Sequence, residues 1–253
     1  MKITIFGSSH GDPMPGRFQT SVLLETARRY YLIDAAEPAN ALMVNKGLLA
    51  AQLSAIFITH MHIDHTGGLP GLLCQNCKHR YKFPEFKTQV FLPDPEAEKA
   101  LTGWMKANGF AKEDDLVFKT ITDKTVYCDD SLKVSFFPTR HLDHAADGSA
   151  RSFAMLVEAE GKKVLFSGDL APDFLDFPIE AARECDQIFC ELTHFKIAEA
   201  VKILAELPGE CKLNFYHLHT PHQSAEGRAR ILEQCKALDC SVTLVNDGDE
   251  FVI

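Results

Sequence analysis

The segment Ile58–Gly68, which reads ITHMHIDHTGG, places His60, His62, Asp64 and His65 within six positions. Imidazole and carboxylate groups are ligands for zinc, manganese and iron. In an extended strand His60, His62 and Asp64 would point to one side, and His65 would reach the same place only after the chain has turned. The spacing therefore favours two neighbouring metal ions, one held by the first two histidines and one by Asp64 and His65.

The chain on either side of this segment predicts a strand and then a helix. Ala55–Ile58 is an apolar run that we expect to be a buried strand, and a helical pattern follows near 67–80. Sites are commonly built where strands end. Four ligand-type residues in such a place favour a metal site over a cluster of hydrogen-bonded histidines at a polar turn.

The rest of the chain alternates short apolar runs with helical patterns. The helical patterns lie near 38–51, 67–80, 94–108, 197–207 and 223–238. Predicted strands are KITIF, SVLLE, YYLIDAA, AIFITH, QVFLP, LKVSFFP, SFAMLVEA, KKVLFSGD, QIFCEL, LNFYHL and VTLVND. Two of them, joined by a turn at Glu160-Gly161-Lys162, predict a hairpin. We expect stacked sheets with helices outside them, in one α/β domain over residues 1–253.

Composition and charge narrow the class of protein. The chain has 253 residues, of which 46% are apolar and 24% charged, and its formal net charge is −9. That charge argues against nonspecific binding to nucleic acid or to anionic membranes. No apolar run approaches the roughly 18–20 residues that span a bilayer, and MKITIF opens the chain as a strand rather than an export signal. We predict a cytoplasmic protein that does not bind membranes.

Eight cysteines are scattered along the chain, at positions 74, 77, 128, 185, 190, 211, 235 and 240. In a cytoplasmic protein they predict reduced thiols rather than a disulfide framework. Cys74 and Cys77, with His79 close by, offer three zinc ligands, but a structural zinc site needs a second pair at suitable spacing. Ordinary helix or loop cysteines are the favoured interpretation.

The His-x-His-x-Asp-His run from His60 to His65 resembles the signature of the metallo-β-lactamase fold superfamily. The resemblance implies a four-layer αββα sandwich with a one- or two-metal site on the rim between the sheets. It also implies further ligands downstream: a histidine after a later strand, an aspartate after the next hairpin and a histidine near the C-terminal end.

Three later segments offer those ligands. LKVSFFPTRH places His141 after a strand, with His144 as the competitor, and Ser167-Gly168-Asp169 resembles the bridging aspartate of the family. KLNFYHLHT offers His217 and His219, which periodicity does not separate, and the resemblance favours His217. The predicted metal ligands are His60, His62, Asp64, His65, His141, Asp169 and His217.

Other segments resemble the ribonuclease Z and phosphodiesterase branch over nearly the whole chain. They are GSSHGDPMPGR, SVLLE, YYLIDAAE, HTGGLPGLL and CELTHF. His194, 23 positions before His217, matches a non-ligand histidine that protonates the leaving group in that branch. Imidazole titrates near neutral pH and a departing alkoxide needs a proton, although a capping role for the helix 197–207 is the alternative. We predict Asp64 and His194 as catalytic residues.

The chain also departs from ribonuclease Z. It reads DAAEP where that family has a Gly-Glu-Gly-Thr-Gln-like segment, and HTPH where a Ser-x-Arg follows the terminal histidine. It shows no glycine- and proline-rich arm of the kind that grips transfer RNA precursors. Together with the acidic charge, these departures argue against a transfer RNA precursor as the substrate.

The leading functional prediction is a metal-dependent phosphodiesterase in which a hydroxide bridging two metal ions attacks phosphorus. The expected cofactors are two divalent ions, zinc first and manganese or iron as alternatives, and the expected substrate is a small-molecule or nucleotide phosphodiester. A homodimer is compatible with this prediction. Arg17, Arg140 and Arg151 are candidates to grip the phosphate, although each is more readily a solvated surface residue.

Two alternatives stay open. The same dinuclear site is able to hydrolyse a lactone, a carboxyl ester or a thioester, because a fold does not determine a substrate. An alternative of another class is a non-hydrolytic metal-binding or redox protein.

Overall fold

The computed structural model describes residues 1–111 and 115–253 and contains two seven-stranded sheets. The first sheet has the order β14-β1-β2-β3-β4-β5-β6, and its strands are β1 (Lys2–Gly7), β2 (Ser21–Glu25), β3 (Tyr30–Ile33), β4 (Leu53–Phe57), β5 (Thr88–Leu92), β6 (Leu116–Thr120) and β14 (Glu250–Val252). The second has the order β13-β12-β11-β10-β9-β8-β7, and its strands are β7 (Val126–Cys128), β8 (Lys133–Pro138), β9 (Phe153–Ala159), β10 (Lys162–Phe166), β11 (Gln187–Leu192), β12 (Lys212–Leu218) and β13 (Ser241–Leu244).

Helices cover the outer faces of both sheets. They are α1 (Ala39–Asn45), α2 (Ile63–Thr66), α3 (Leu69–His79), α4 (Pro95–Ala107), α5 (Ile179–Ala182), α6 (Ile197–Leu204), α7 (Thr220–Gln223) and α8 (Ala225–Gln234). Short 3-10 turns are formed by Ala50–Gln52, Arg80–Lys82 and Cys235–Ala237. None of the helices among the described residues has the length and apolar character needed to cross a membrane.

The buried apolar side chains form three layers. One core lies between α1, α3, α4 and the first sheet, and another lies between the second sheet and α5, α6 and α8. The third core fills the space between the sheets, where the Phe57 ring lies 5.2–6.4 Å from the rings of Tyr31, Phe91, Tyr127 and Phe136. The architecture is therefore the αββα sandwich that the sequence predicts.

Strand direction determines where the polar strand ends meet. Strands β3 to β6 run parallel in the first sheet, and β10 to β13 run parallel in the second. Strand β8 is antiparallel to β9, which is antiparallel to β10, so β8 and β10 end at the same edge. The carboxyl ends of β3, β4, β8, β10 and β12 are followed or occupied by ligand-type residues, and these ends form one rim of the sandwich.

The structure corrects the helix and strand boundaries in a few places. The pattern 38–51 divides into α1 and a 3-10 turn, and the helix after β4 begins within the ligand motif, at Ile63. Strands β6, β7 and β14 have no counterpart in the sequence prediction. Cys74 and Cys77 are buried on α3 within the first outer core, and no cluster of metal-ligand type among the described residues contains them.

The central aromatic core makes a test of the packing. Replacing Phe57, which is fully buried, by alanine should lower the free energy of unfolding by about 3–5 kcal/mol, because contacts with four rings are lost and a cavity remains. Urea unfolding measures the change, and Val44→Ala on the exposed face of α1 should stay within about 0.5 kcal/mol of the parent. A similar small loss for both variants would contradict this description of the core.

Candidate metal centre

All seven predicted ligands lie on the rim, where they fall into overlapping groups of metal-ligand type linked through Asp169 and His217. The ligand atoms within each group lie within 4.8 Å of one another. The first group is His60, His62, His141 and Asp169, the second is Asp64, His65 and His217, and the third is Asp169, His194 and His217. Asp169 faces the first and the second, since its Oδ2 is 3.5 Å from Nε2 of His60 and of His217, and its Oδ1 is 3.4 Å from Nε2 of His65.

The donor atoms fit divalent cations. Nε2 of His60, His65 and His217 and Oδ1 of Asp169 are buried without a hydrogen-bond partner among the described residues. Each such atom costs about 1–3 kcal/mol if nothing satisfies it. Imidazole and carboxylate donors converging on a small buried volume match the coordination preferences of zinc, manganese and iron, so the residues present fit a metal centre.

The charge states of the histidines agree with this interpretation. Burial lowers the pKa of His141 and of His217 to about 4, so both rings are neutral near pH 7 and carry a free lone pair. Nδ1 of His62 and Nε2 of His141 lie 3.1 Å apart. Two imidazole nitrogens facing each other at this distance either share one proton or leave room for a shared cation.

Asp169 and His65 stabilise each other's charged forms. Burial alone would raise the pKa of Asp169, but His217, His65 and His60 hold it well below its ordinary value. Burial alone would lower the pKa of His65, but Asp169 and Asp34 raise it above its ordinary value. The carboxylate is therefore ionised, and a bound cation would take the place of the proton on His65.

In three of the ligand histidines, the ring nitrogen Nδ1, which faces away from the shared volume, is held by another side chain. Nδ1 of His65 donates to Oδ2 of Asp34 at 2.7 Å, and Nδ1 of His217 lies 2.7 Å from the Thr20 hydroxyl. Nδ1 of His60 lies 3.1 Å from the hydroxyl of Thr59, whose backbone N–H donates to Asp34. These contacts fix the ring orientations and direct each Nε2 toward the shared volume.

The backbone takes uncommon conformations where it delivers these groups. The φ angle is positive at Asp34 (55°), Gly168 (55°) and His217 (50°), a region that costs non-glycine residues about 1–3 kcal/mol. Gly168 meets a second constraint, because a Cβ there would lie 2.5 Å from the carbonyl oxygen of Phe153. The turn that presents Asp169 therefore needs glycine.

A β-bulge separates His217 from His219. Glu191 pairs with Tyr216 and Leu192 pairs with Leu218, so His217 is an extra residue in β12. The bulge turns its side chain into the rim. The ring of His219 packs instead 5.1 Å from the ring of His10, outside the two ligand groups. His144, the competitor of His141, is exposed and also lies outside them.

His194 belongs to the third group, with Asp169 and His217, and is held by Glu191. Its Nδ1 is 3.0 Å from Oε1 of Glu191 and 3.7 Å from Oδ2 of Asp169, and its ring is 4.5 Å from that of His141. Burial would lower its pKa, but the two carboxylates raise it to about 8. His194 does not cap a helix, because Lys196 occupies the N-cap position of α6.

All three arginines proposed to grip phosphate bind other side chains, two of them carboxylates. Arg140 donates to Asp173 at 2.5 Å, and Arg151 forms a two-point ion pair with Asp94 at 2.8 and 3.0 Å. Arg17 donates to the side-chain oxygen of Asn246. Arg140 and Arg151 would have to leave these pairs in order to bind a substrate.

Sequence reasoning missed the supporting roles of Asp34, Thr20 and Glu191. Asp34 ends the apolar run YYLI, and Glu191 is a fully buried carboxylate within β11. A single acidic residue at the end of, or inside, an otherwise apolar strand is a signal for such a role, since buried carboxylates need partners. Thr20 gives no comparable signal.

Comparisons with known proteins agree with the geometry. A family model described as "Anti-Pycsar protein Apyc1" matches residues 1–237. The chain is 28% identical to ribonuclease Z of Methanothermobacter thermautotrophicus over 141 residues, which cover 56% of this chain and 45% of that protein. It is 38% identical to zinc phosphodiesterase ELAC protein 1 of Homo sapiens over 74 residues, which cover 29% of this chain and 20% of that protein. The chain thus spans less than half the length of these curated relatives.

A solved structure supports the fold. The metallo-β-lactamase fold protein YhfI from Bacillus subtilis superimposes with a TM-score of 0.74 at 16% identity, over 99% of each chain. At this identity the match establishes the fold alone.

Asp34 offers a test of the supporting contacts. Asp34→Asn should weaken zinc binding about 10- to 100-fold, because His65 loses the charged acceptor that orients its ring. Competition with a chromophoric zinc chelator measures the affinity. Asp130→Asn, an exposed carboxylate paired with Arg29, is the matched control and should bind zinc as the parent does. Equal affinity in both variants would show that Asp34 does not support the metal ligands.

Proposed function

The chain belongs to the family described as "Anti-Pycsar protein Apyc1", and on that premise we propose that it is a metal-dependent hydrolase of small-molecule or nucleotide phosphodiesters. The observation that carries the proposal is the shared Asp169, which faces both the first and the second group and lies 3.7 Å from His194, which we assign to proton transfer rather than to metal binding. The arrangement combines a place for two cations with a proton donor at its edge.

The proposed metal ligands are the first two groups on the rim. The first ion would be held by His60, His62, His141 and Asp169. The second would be held by Asp64, His65 and His217, with Asp169 3.4–3.5 Å from the Nε2 atoms of the two histidines. When bound, such ions supply positive charge for the phosphate oxygens and lower the pKa of a bound water to about 7. Zinc is the proposed metal, since the donors suit it and the human relative is named a zinc phosphodiesterase.

His194 is proposed to protonate the departing oxygen. Glu191 engages its Nδ1, so Nε2 is the nitrogen that hands over a proton. With its pKa raised to about 8, the ring carries that proton at neutral pH. Glu191 is buried and accepts hydrogen bonds from the backbone N–H groups of Leu170, Thr193 and His194. Because these bonds fix the carboxylate, it holds the His194 ring in one position.

Asp64 is proposed to orient the water that attacks phosphorus. Its Oδ2 lies 3.6 Å from Nε2 of His65 and 3.8 Å from Nε2 of His217, and its residue is 7% exposed. A carboxylate in this position accepts a hydrogen bond from an incoming water and orients it toward the phosphorus.

The first test is hydrolysis of bis(p-nitrophenyl) phosphate by protein reconstituted with zinc or manganese. Turnover should require metal and should fall about 10²-fold or more in His62→Ala, because a ligand of the first group is lost. His144→Ala, an exposed histidine outside both groups, should keep the rate of the parent. If protein that binds two metals turns over lactones or thioesters but no phosphodiester, the acyl hydrolase alternative replaces this proposal.

A second test concerns the proton donor. His194→Ala should lower kcat about 10²- to 10⁴-fold for a phosphodiester that releases an alkoxide, since that oxygen needs a proton. The loss should be much smaller for a p-nitrophenolate leaving group, which departs without one. Glu191→Gln should change the two rates in the same direction as His194→Ala. Equal losses on the two substrates would assign His194 to substrate or metal binding instead.

A further inference from the structure

Two ligands of the first group follow strands that are not adjacent. His141 follows β8 and Asp169 follows β10, and β9 lies between these strands in the second sheet. Ladder hydrogen bonds join a strand only to its direct neighbours, so the ladder does not connect the end of β8 to the end of β10. Nε2 of His141 nevertheless lies 3.6 Å from Oδ2 of Asp169. Contacts beyond the strand ends therefore have to set this separation.

The carboxylate of Asp176 joins the two strand ends. Its Oδ2 accepts a hydrogen bond from the backbone N–H of Arg140 at 2.6 Å and another from the backbone N–H of Ala171 at 3.0 Å. Arg140 directly precedes His141, and Ala171 is the second residue after Asp169. A single oxygen atom therefore binds the backbones of both segments that carry these ligands.

Asp176 is held in place by the residues on either side of it. The rings of Phe174 and Phe177 are buried in the outer core of the second sheet, 4.9 Å apart, and Phe174 also packs 4.4 Å from Phe195. The φ angle of Phe174 is 60°. This conformation is rare for a bulky residue and persists only where the surroundings leave no easier one. Core packing therefore fixes the turn that carries Asp176.

A second carboxylate holds the same backbone without reaching the first ligand group. Glu191 accepts the N–H of Leu170, the residue after Asp169, at 2.9 Å, and it also engages Nδ1 of His194. Asp176 belongs to none of the three groups of ligand type. Glu191 connects this backbone to the proposed proton donor, whereas Asp176 connects it to the first group. The two carboxylates should therefore affect different steps.

We infer that Asp176 is a positioning residue for the first metal ion, an inference that rests on the proposed function and adds to it a residue that does not touch the metal. Its carboxylate sets the separation of His141 and Asp169, so that both reach one cation. Ligands that are already in place bind a metal more tightly than ligands that have to be brought together first. Groups that hold metal ligands in position typically change the affinity about 10- to 100-fold when they are removed.

Stepwise zinc binding tests this role. Competition with a chromophoric chelator should show two steps in the parent, and the step lost in His62→Ala identifies the first ion, since His62 belongs to the first group alone. Asp176→Ala should weaken that step about tenfold, because two backbone N–H groups lose their acceptor, and should leave the other step within about twofold. Excess zinc should restore the turnover of bis(p-nitrophenyl) phosphate in Asp176→Ala but not in His62→Ala, because the former retains every ligand.

Two further variants separate positioning from a general effect on the turn. Asp173 lies in the same turn and binds the guanidinium of Arg140 and the N–H of Leu175, so Asp173→Ala leaves both ligand segments attached and should bind zinc as the parent does. Asp176→Asn keeps an oxygen acceptor but loses the charge that strengthens both bonds, and it should weaken the first step about threefold. It still tests the inference if urea unfolding shows that Asp176→Ala does not fold.

Three results would overturn the inference. They are parent-like affinity at the first step in every Asp176 variant that folds, an equal loss at both steps, and a loss in Asp173→Ala as large as that in the Asp176 variants. A parent without a zinc-binding step that His62→Ala removes would instead refute the proposed metal centre itself, which is a distinguishable result.

Discussion

The buried carboxylate of Asp169 is the group on which the rest of the site depends. It is 2% exposed, and three imidazole nitrogens face its two oxygens at 3.4–3.5 Å. A buried negative charge is costly unless opposite charge surrounds it, so the histidines have to converge on it from several directions. His60 and His65 follow a strand of the first sheet, whereas His217 belongs to the second. At a rim between two sheets, histidines from both sheets can reach one carboxylate.

Bringing the ligands together requires strained backbone conformations. Positive φ angles occur at Asp34, at Gly168 and at His217, and each of these residues lies at the end of a strand or in a bulge that delivers a ligand or its support. Strain of this kind persists only where the surroundings leave no easier conformation. The three apolar cores on either side of and between the sheets provide those surroundings, and the aromatic cluster around Phe57 lies between the strands that carry the ligands. Packing far from the rim thus maintains its geometry.

The sequence predicted the parts of this arrangement that are local. The run from His60 to His65 lies within six residues, so its spacing alone indicated two metals, and the structure places His60 and His62 in one cluster of ligand type and Asp64 and His65 in another. Periodicity did not separate His217 from His219 because the choice depends on a bulge, which forms only when β12 pairs with β11. Thr20 was missed for a similar reason, since its partner is 197 residues away. The missed strands β6, β7 and β14 are all edge strands, with few buried side chains to produce an alternating pattern.

The charge distribution bears on which anions such a site would accept. The chain carries a formal charge of −9, and the ion pairs of Arg140 with Asp173 and of Arg151 with Asp94 neutralise two of the cations near the rim. The net charge would repel a long nucleic acid, an effect that acts over a Debye length of about 8 Å at physiological ionic strength. A small phosphodiester would meet only the metals and the residues beside them. This charge distribution therefore supports the proposal of a small phosphodiester as the substrate rather than a long nucleic acid.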